Sequence, residues 1–207
     1  MRRVPAEVLP LVLASVAVLV APAPAFADSP RQFLEQALRG DNSEIMLGRI
    51  AADRARDPQV REFGRTLVQD HAEARTDVIR VGRHMGLHPT REVSDDARDL
   101  RDRLNDAHGR EFDRMFIRHM VDDHRQDIDK FRDEAREHHG PVSDLAERQL
   151  PTLQKHLDMA LALDRSNDRR AERGRDYDRG RDNYGGQNNY GGQDNRDNYG
   201  SQDGRNR

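Results

Sequence analysis

The sequence predicts an all-α protein, an up-down four-helix bundle. Apolar residues recur at three- and four-residue spacing in four long segments, which is typical of amphipathic helices. Proline and glycine separate these segments at Asp57-Pro58, at Gly86 to Pro89 and at Gly140-Pro141. Because each such helix must bury its apolar stripe against another element, a bundle is the architecture that these observations favour.

The segment from Met1 to Ala27 has the features of a secretory signal peptide. Arg2 and Arg3 precede an apolar run from Leu9 to Val20, and Ala25-Phe-Ala27 is a small-x-small cleavage site. The run is too short to span a bilayer as a helix, and no later stretch is more apolar, so no transmembrane segment is expected. We therefore predict export, to a periplasm or out of the cell, after cleavage near Ala27.

The domain predicted after the signal peptide covers residues 28–163 and begins with two helices. Ser29-Pro30 is a capping pair for helix one, which is expected to end near Arg56, with a possible interruption at 40–42. Helix two is predicted from Pro58 to Met85. A charged connection over 90–109 contains a short helix that Ser94 can cap, and its length suits either a turn or a crossing of the whole bundle.

Two more helices complete the predicted domain. Helix three is expected over Glu111–His139 and helix four over Ser143–Leu163, with a kink at Pro151. Residues 164–207 consist mostly of Arg, Asp, Gly, Asn, Gln and Tyr, so we predict a disordered tail that has no core to form. The tail either keeps the protein in solution or mediates self-association or contact with envelope polymers.

Charge and cysteine content exclude several functions. The net charge is −3 although 35% of residues are charged, and the two signs alternate along the chain. Such interleaving argues against a nucleic-acid surface and suits ion-paired outer helix faces. The chain has no cysteine, which excludes disulfides and thiolate metal ligands.

Each apolar stripe contains one polar residue, and the four are Glu44, His71, His124 and His156. Glu44 and His71 lie almost equally far along the chain from Asp57, and His124 and His156 lie equally far from Gly140. Residues equidistant from the turn of a helical hairpin lie at the same height. The four side chains are therefore predicted to form one layer near the middle of the bundle.

The two middle helices also share a repeat. Phe63 to His71 aligns with Phe116 to His124, with Phe, Arg, Val, Asp and His at the same relative positions. Asp70 and Asp123, which directly precede these histidines, are expected to point about 100° away and to pair with arginines.

Two chemical interpretations of the polar layer remain open. Imidazole and carboxylate groups that converge in a bundle core suit one transition-metal ion, such as Fe, Zn or Cu. Alternatively, the three histidines hydrogen-bond to Glu44 and form a structural layer, because unpaired buried polar groups are costly. Glu44 also fits a capping box with Asp41, which would place it at a helix start.

Several motifs resemble those of the exported bacterial family called domain of unknown function 4142. They are Phe33-Leu34, Ser43-Glu44-Ile45, Val60 to Phe63, Asp70-His71, Gly109 to Asp113 and Leu150 to His156. The resemblance covers about Pro30 to Leu163 and implies a ferritin-like four-helix fold, an exported or envelope location and no established activity.

The chain departs from the di-iron pattern of ferritin-like proteins, which uses Glu on two helices and Glu-x-x-His on the other two. Val68 and Leu153 stand where those glutamates would precede His71 and His156. We therefore expect at most one metal ion, held by Glu44 and the three histidines.

The function that the sequence favours is that of an exported, non-enzymatic binding protein, with envelope stress as a candidate setting. The chain contains no nucleophile elbow, phosphate loop or paired acid–base carboxylates. The alternatives are a metal-dependent oxidase or ferroxidase at the same layer, and a structural or interaction protein that acts through its tail.

Overall fold

The computed structural model describes residues 29–137 and 139–185, with side chains up to Glu172. The described chain is all helical, with α1 (Pro30–Arg54), α2 (Pro58–Gly82), α3 (Asp95–Asp106), α4 (Gly109–Glu137) and α5 (Pro141–Gly185). A 3₁₀ turn, Arg83–Met85, follows α2. The all-α bundle is thus confirmed, whereas the predicted signal peptide and residues 186–207 lie outside the described residues. Among the described helices, none is both long and apolar enough to cross a membrane.

The four long helices form two hairpins, α1 with α2 and α4 with α5, joined by a connection that crosses the bundle. The end of α2 lies beside the start of α1, where the Arg31 guanidinium donates to the Met85 carbonyl oxygen at 2.7 Å. The start of α4 lies at the other end, where the Asp113 carboxylate accepts from the backbone N–H groups of Arg56 and Asp57. Consequently α2 and α4 run parallel. A single long crossover joins the two hairpins, so the helices do not simply alternate up and down as the sequence predicts.

The connection is fixed to α1 by polar contacts along its length. The backbone N–H of Ser94, the N-cap of α3, donates to the Ser43 hydroxyl at 2.9 Å. The Asn42 side chain donates to the carbonyl oxygens of Thr90 and Glu92. These contacts dock α3 against α1 and α4, over the side of the bundle that carries Glu44.

Helix α1 is continuous, so the predicted interruption at 40–42 is wrong. Asp41 and Asn42 favour turns when their side chains bond to the local backbone. Here Asp41 instead bonds to His71 on α2, and Asn42 bonds to the connection. The predicted capping box of Asp41 and Glu44 is also wrong, because both residues lie inside α1. The capping box of α1 is formed by Ser29 and Gln32.

Two glycines allow α1 and α2 to pack closely. A Cβ atom on Gly64 would lie 2.6 Å from the carbonyl oxygen of Gly48 and 2.8 Å from the backbone nitrogen of Ala52. A Cβ on Gly48 would lie 2.7 Å from the carbonyl oxygen of Gly64. The two backbones therefore touch, and this contact sets the spacing between the helices two turns before His71.

Helix α5 continues to Gly185, well beyond the predicted end of the fourth helix at Leu163. The first part of this extension contacts the bundle, because the Arg170 guanidinium bonds to the carboxylate of Asp57, the N-cap of α2. The expectation of disorder directly after Leu163 therefore differs from the structure over 164–185. The lack of aliphatic residues in this segment predicted that it forms no hydrophobic core. A helix that is already formed can nevertheless continue, and an ion pair can form, without a hydrophobic core.

Candidate metal centre

The three predicted histidines meet in the middle of the bundle. Their ring centroids are 5.9 Å apart for His71 and His124, 5.2 Å for His71 and His156, and 5.3 Å for His124 and His156. They are 5%, 1% and 0% exposed, respectively. One ring nitrogen of each lies within 4.8 Å of one from each of the others. The three imidazoles thus form one buried cluster from three helices.

The internal repeat explains how two of these histidines meet. Because α2 and α4 run parallel, equivalent positions of the repeat lie side by side. The rings of Phe63 and Phe116 are 6.2 Å apart in an edge-on arrangement, and those of His71 and His124 are 5.9 Å apart at the other end of the repeat. The phenylalanines pack the core about two turns from the histidines and fix the register that brings the imidazoles together.

Hydrogen bonds assign the protonated nitrogen of His71 and His124. His71 Nδ1 lies 2.9 Å from a carboxylate oxygen of Asp41, and His124 Nδ1 lies 2.9 Å from the carbonyl oxygen of Met120. Both oxygens accept, the carboxylate when ionised, so each Nδ1 carries the proton. The lone pair of each ring is therefore on Nε2, and His71 Nε2 is buried without a hydrogen-bond partner.

His156 has the opposite assignment. Its Nε2 lies 2.9 Å from a carboxylate oxygen of Asp70, while its Nδ1 lies 3.2 Å from His124 Nε2. In the neutral ring, Nε2–H donates to Asp70, so Nδ1 carries a lone pair. The lone pairs of His156 Nδ1 and His124 Nε2 then face each other. Only a proton or a metal ion between these nitrogens relieves that contact.

The environment opposes a proton in this position. The pKa of His124 is lowered to about 3, mainly by burial and also by the neighbouring imidazoles. Burial likewise lowers the pKa of His156 to about 4, although the bond to Asp70 acts in the other direction. Burial alone would raise the pKa of Asp70, but the hydrogen bond from His156 and the charge of Lys155 outweigh it, so that pKa is lowered. Near neutral pH His124 and His156 therefore offer neutral imidazoles.

Glu44 is buried but does not complete a single group with all three histidines. Its carboxylate lies within 4.8 Å of Asp123 and of one ring nitrogen of His124, and this forms a second group among the described residues. In the part of the chain that the structure describes, no histidine forms a hydrogen bond with either Glu44 oxygen, so the interpretation that the histidines bond to Glu44 is wrong. Burial raises the pKa of Glu44 well above its usual value, and the nearby carboxylates of Asp123, Asp127 and Asp41 raise it further.

Two aspartates that hold the imidazoles were not predicted for that role. Asp41 was assigned to a helix start, and Asp70 was expected to pair with arginine; instead they bond to His71 and His156, and Asp70 also pairs with Lys155. Asp123 was also expected to pair with arginine, but it lies beside Glu44 and His124. The stripe analysis considered each helix alone, whereas these contacts reach across to neighbouring helices.

A cavity of about 370 Å³ reaches the cluster from the surface. His71 and His156 line its floor together with Asp41 and Asp70, and Phe33 and Phe131 line its wall. Five carboxylates and three basic side chains line it in total, namely Asp41, Asp70, Glu73, Asp77, Asp127, Lys130, Arg148 and Lys155. An excess of negative charge beside the imidazoles favours the approach of a cation.

Fold and site together define an α-helical bundle with a buried cluster of three imidazoles. The family profile described as "Domain of unknown function (DUF4142)" matches residues 16–163, so the chain belongs to DUF4142. The fold is similar to that of a DUF305 protein from Streptomyces coelicolor, described as secreted. The TM-score is 0.56 at 16% sequence identity, and the match covers 69% of this chain and 96% of the other. No curated protein matches the chain.

Proposed function

We propose that this protein is an exported metal-binding bundle whose three histidines hold one transition-metal ion. The single observation that supports this most is the orientation of the rings. His71, His124 and His156 each direct one nitrogen to an oxygen acceptor and leave the other with its lone pair toward the cluster. Histidines that bind metals have this arrangement, since an outer acceptor fixes the tautomer and increases the basicity of the ligand nitrogen.

The spacing of the ring nitrogens supports the same proposal. Two nitrogens at about 2.0–2.1 Å from a tetrahedral ion lie roughly 3.3–3.4 Å apart. The observed separation of His124 Nε2 and His156 Nδ1 is 3.2 Å. His71 Nε2 would be the third ligand. Imidazole ligands suit Zn, Cu or Fe, and the neutral rings of His124 and His156 require no metal-coupled loss of a proton near pH 7.

The proposal can be tested by metal analysis after reconstitution. Chain stripped by chelator and supplied with Zn(II), Cu(II) or Fe(II) in separate samples is expected to retain one ion per molecule for at least one of the metals. His71→Ala and His156→Ala should lose it, whereas His84→Ala, which removes an exposed histidine, should not. Circular dichroism checks that each variant folds. No retained metal in the parent, or equal retention in His71→Ala, would contradict the proposal.

The ring assignments supply an independent readout. Long-range ¹H–¹⁵N correlation spectra of the Zn(II) form should show metal on Nε2 of His71 and His124 but on Nδ1 of His156. A spectrum with Nε2 of His156 bound to metal would mean that Asp70 does not fix this ring.

One observation favours the oxidase or ferroxidase alternative. Three imidazoles leave a fourth coordination position, and the cavity beside His71 and His156 gives small molecules access to it. If Fe(II) is oxidised, oxygen consumption should exceed the protein-free rate and return to that rate in His71→Ala. The interaction role proposed for the tail concerns residues mainly outside the described part of the chain.

An exported location belongs to the same proposal. It is supported by the predicted signal peptide and by the likeness to a bundle protein described as secreted. N-terminal sequencing of protein recovered from a periplasmic or culture fraction should begin at Asp28. A chain recovered from the cytoplasm with the segment from Met1 to Ala27 still attached would contradict export.

A further inference from the structure

A second group of ligands lies beside the imidazole cluster, on the side that α3 covers. Its members are Glu44 from α1 and Asp123 from α4, whose carboxylates lie within 4.8 Å of each other. They line a pocket of about 320 Å³ together with Asp96 and Asp127. This pocket adjoins the cavity over His71 and His156, since Asp127 and Lys130 line both, but Glu44 and Asp123 do not line that cavity.

Among the described residues, no basic side chain pairs with Glu44 to neutralise its charge. The side chain is 1% exposed, and both carboxylate oxygens are buried without a hydrogen-bond donor. The charged groups that influence it most are three further carboxylates, those of Asp123, Asp127 and Asp41. Lys130 and Arg39 also line the pocket, but Lys130 forms an ion pair with Asp127 at 3.3 Å and Arg39 forms one with Glu92 at 3.7 Å. A buried carboxylate among like charges requires either a proton or a bound cation.

His124 separates the two groups of ligands. Its Nδ1–H donates to the Met120 carbonyl, and its one lone pair is directed toward His156. It therefore cannot contribute a nitrogen to both groups at once. The carboxylates form a site of oxygen ligands, which differs in chemistry from the nitrogen ligands of the histidine cluster.

We propose that Glu44 and Asp123 bind a hard divalent cation, such as Mn²⁺ or Mg²⁺, next to the three-histidine centre. Carboxylate oxygens suit these ions, and the adjoining pocket is large enough for the water molecules that they retain. The site uses none of the three imidazole lone pairs, so it does not depend on the metal proposed for the histidines. Glu44, predicted from the sequence as a fourth ligand of one ion, is thereby assigned to a separate ion.

Mn(II) titration followed by the electron paramagnetic resonance of free Mn(II) tests this site. Full-length mature protein preloaded with one equivalent of Zn(II) should bind one Mn(II) per chain. Glu44→Gln preserves the shape of the side chain and should weaken Mn(II) binding at least tenfold while the Zn(II) content stays unchanged. Glu147→Gln makes the same chemical change on the exposed face of α5 and should bind like the parent.

A second arm separates this proposal from the first. His71→Ala, without added Zn(II), should still bind one Mn(II). If His71→Ala loses Mn(II) while Glu44→Gln retains it, Mn(II) occupies the histidines and the carboxylate site is refuted. Equal Mn(II) affinity in the parent and Glu44→Gln, or no binding by the parent, refutes it as well and leaves Glu44 as a protonated partner of Asp123. Should Glu44→Gln fail to fold by circular dichroism, Asp123→Asn takes its place with the same expected loss.

Discussion

The oxygen atoms around the histidines decide which ring nitrogen is available to a ligand. The acceptors come from three helices: Asp41 from α1, the Met120 carbonyl from α4 and Asp70 from α2. No two of the three rings are therefore oriented by the same helix. Asp41 is itself buried, and burial raises its pKa, whereas its bond to His71 lowers it. The hydrogen bond therefore acts on both partners: it orients the His71 ring, and it favours the ionised form of Asp41.

Among the single residues, Asp127 gives a clear expectation for pH dependence. Its pKa is raised from 3.8 to about 6, mainly by burial and also by the charge of Asp123, while Lys130 acts in the opposite direction. A folded-state pKa above the unfolded value means that the folded protein binds the proton more tightly. The associated stability is present below pH 3.8 and is lost as the pH rises through about 6.

Asp127→Asn should remove this loss of stability between pH 4 and pH 7. In metal-free protein at pH 7, the variant is expected to be more stable than the parent, by at most on the order of 2 kcal/mol after loss of the pair with Lys130. Near pH 4 the two should be nearly equal. Urea unfolding at both pH values, in the presence of chelator, measures the difference. Asp129→Asn, on an exposed position of α4, is the matched control. A constant difference between pH 4 and pH 7 would contradict the assignment.

The histidines could be predicted from the sequence because their spacing follows the apolar stripe of each helix. The residues that orient them could not. Asp70 adjoins His71 in the chain but points away from it, and its hydrogen bond reaches His156 on α5. Identifying that contact requires the distance between α2 and α5, which neither helix encodes by itself. Asp41 was hidden in the same way, because its partner lies on α2.

At the scale of elements, α1 shows how tertiary contacts override local preference. Gly40, Asp41 and Asn42 together predict a break, yet the helix passes through all three. Asp41 and Asn42 find partners on other elements, and only the entropic cost of Gly40 remains. Conversely, Gly48 and Gly64 set the distance between α1 and α2, a close contact that was not predicted although Gly64 belongs to the apolar stripe of helix two.

The two kinds of glycine should respond in opposite ways to alanine. A Cβ on Gly40 meets nothing closer than 3.9 Å, so Gly40→Ala should stabilise the protein by about 0.5–1 kcal/mol through lower entropy of the unfolded chain. Gly64→Ala places a Cβ 2.6 Å from backbone and should destabilise it by about 2 kcal/mol or more, since backbone cannot move aside as a side chain does.

Thermal or urea unfolding of both variants measures these effects, with each serving as the other's control. Gly64→Ala should also weaken metal retention, because it separates α1 from α2 near Asp41 and His71. A stable Gly64→Ala variant would show that the helices have room to separate at this crossing.

For the whole molecule, the four helices and the middle layer could be predicted from the sequence, but the path of the connection stayed open. A charged connection of this length suits a turn as well as a crossing. The choice is made by contacts at both ends, those of Arg31 with Met85 and of Asp113 with the turn between α1 and α2. The crossing makes α2 and α4 parallel. The sequence repeat then acquires a structural meaning, because its two copies lie in register.

The extension of α5 contacts the end of the bundle where α2 and α4 begin, and its contribution to the stability of the protein can be measured. Arg170 bonds to Asp57, which caps α2 beside the backbone groups that Asp113 holds. Because the Arg170 side chain is 49% exposed, the ion pair is screened, and Arg170→Ala should lower the free energy of unfolding by only about 0.5–1 kcal/mol. Arg169→Ala, at the exposed position just before it, should have no effect.

A chain that ends at Glu172 should unfold at the same urea concentration as the full mature chain, whereas one that ends at Leu163 should unfold at a lower urea concentration. Equal midpoints for both truncations would mean that residues 164–172 do not stabilise the bundle.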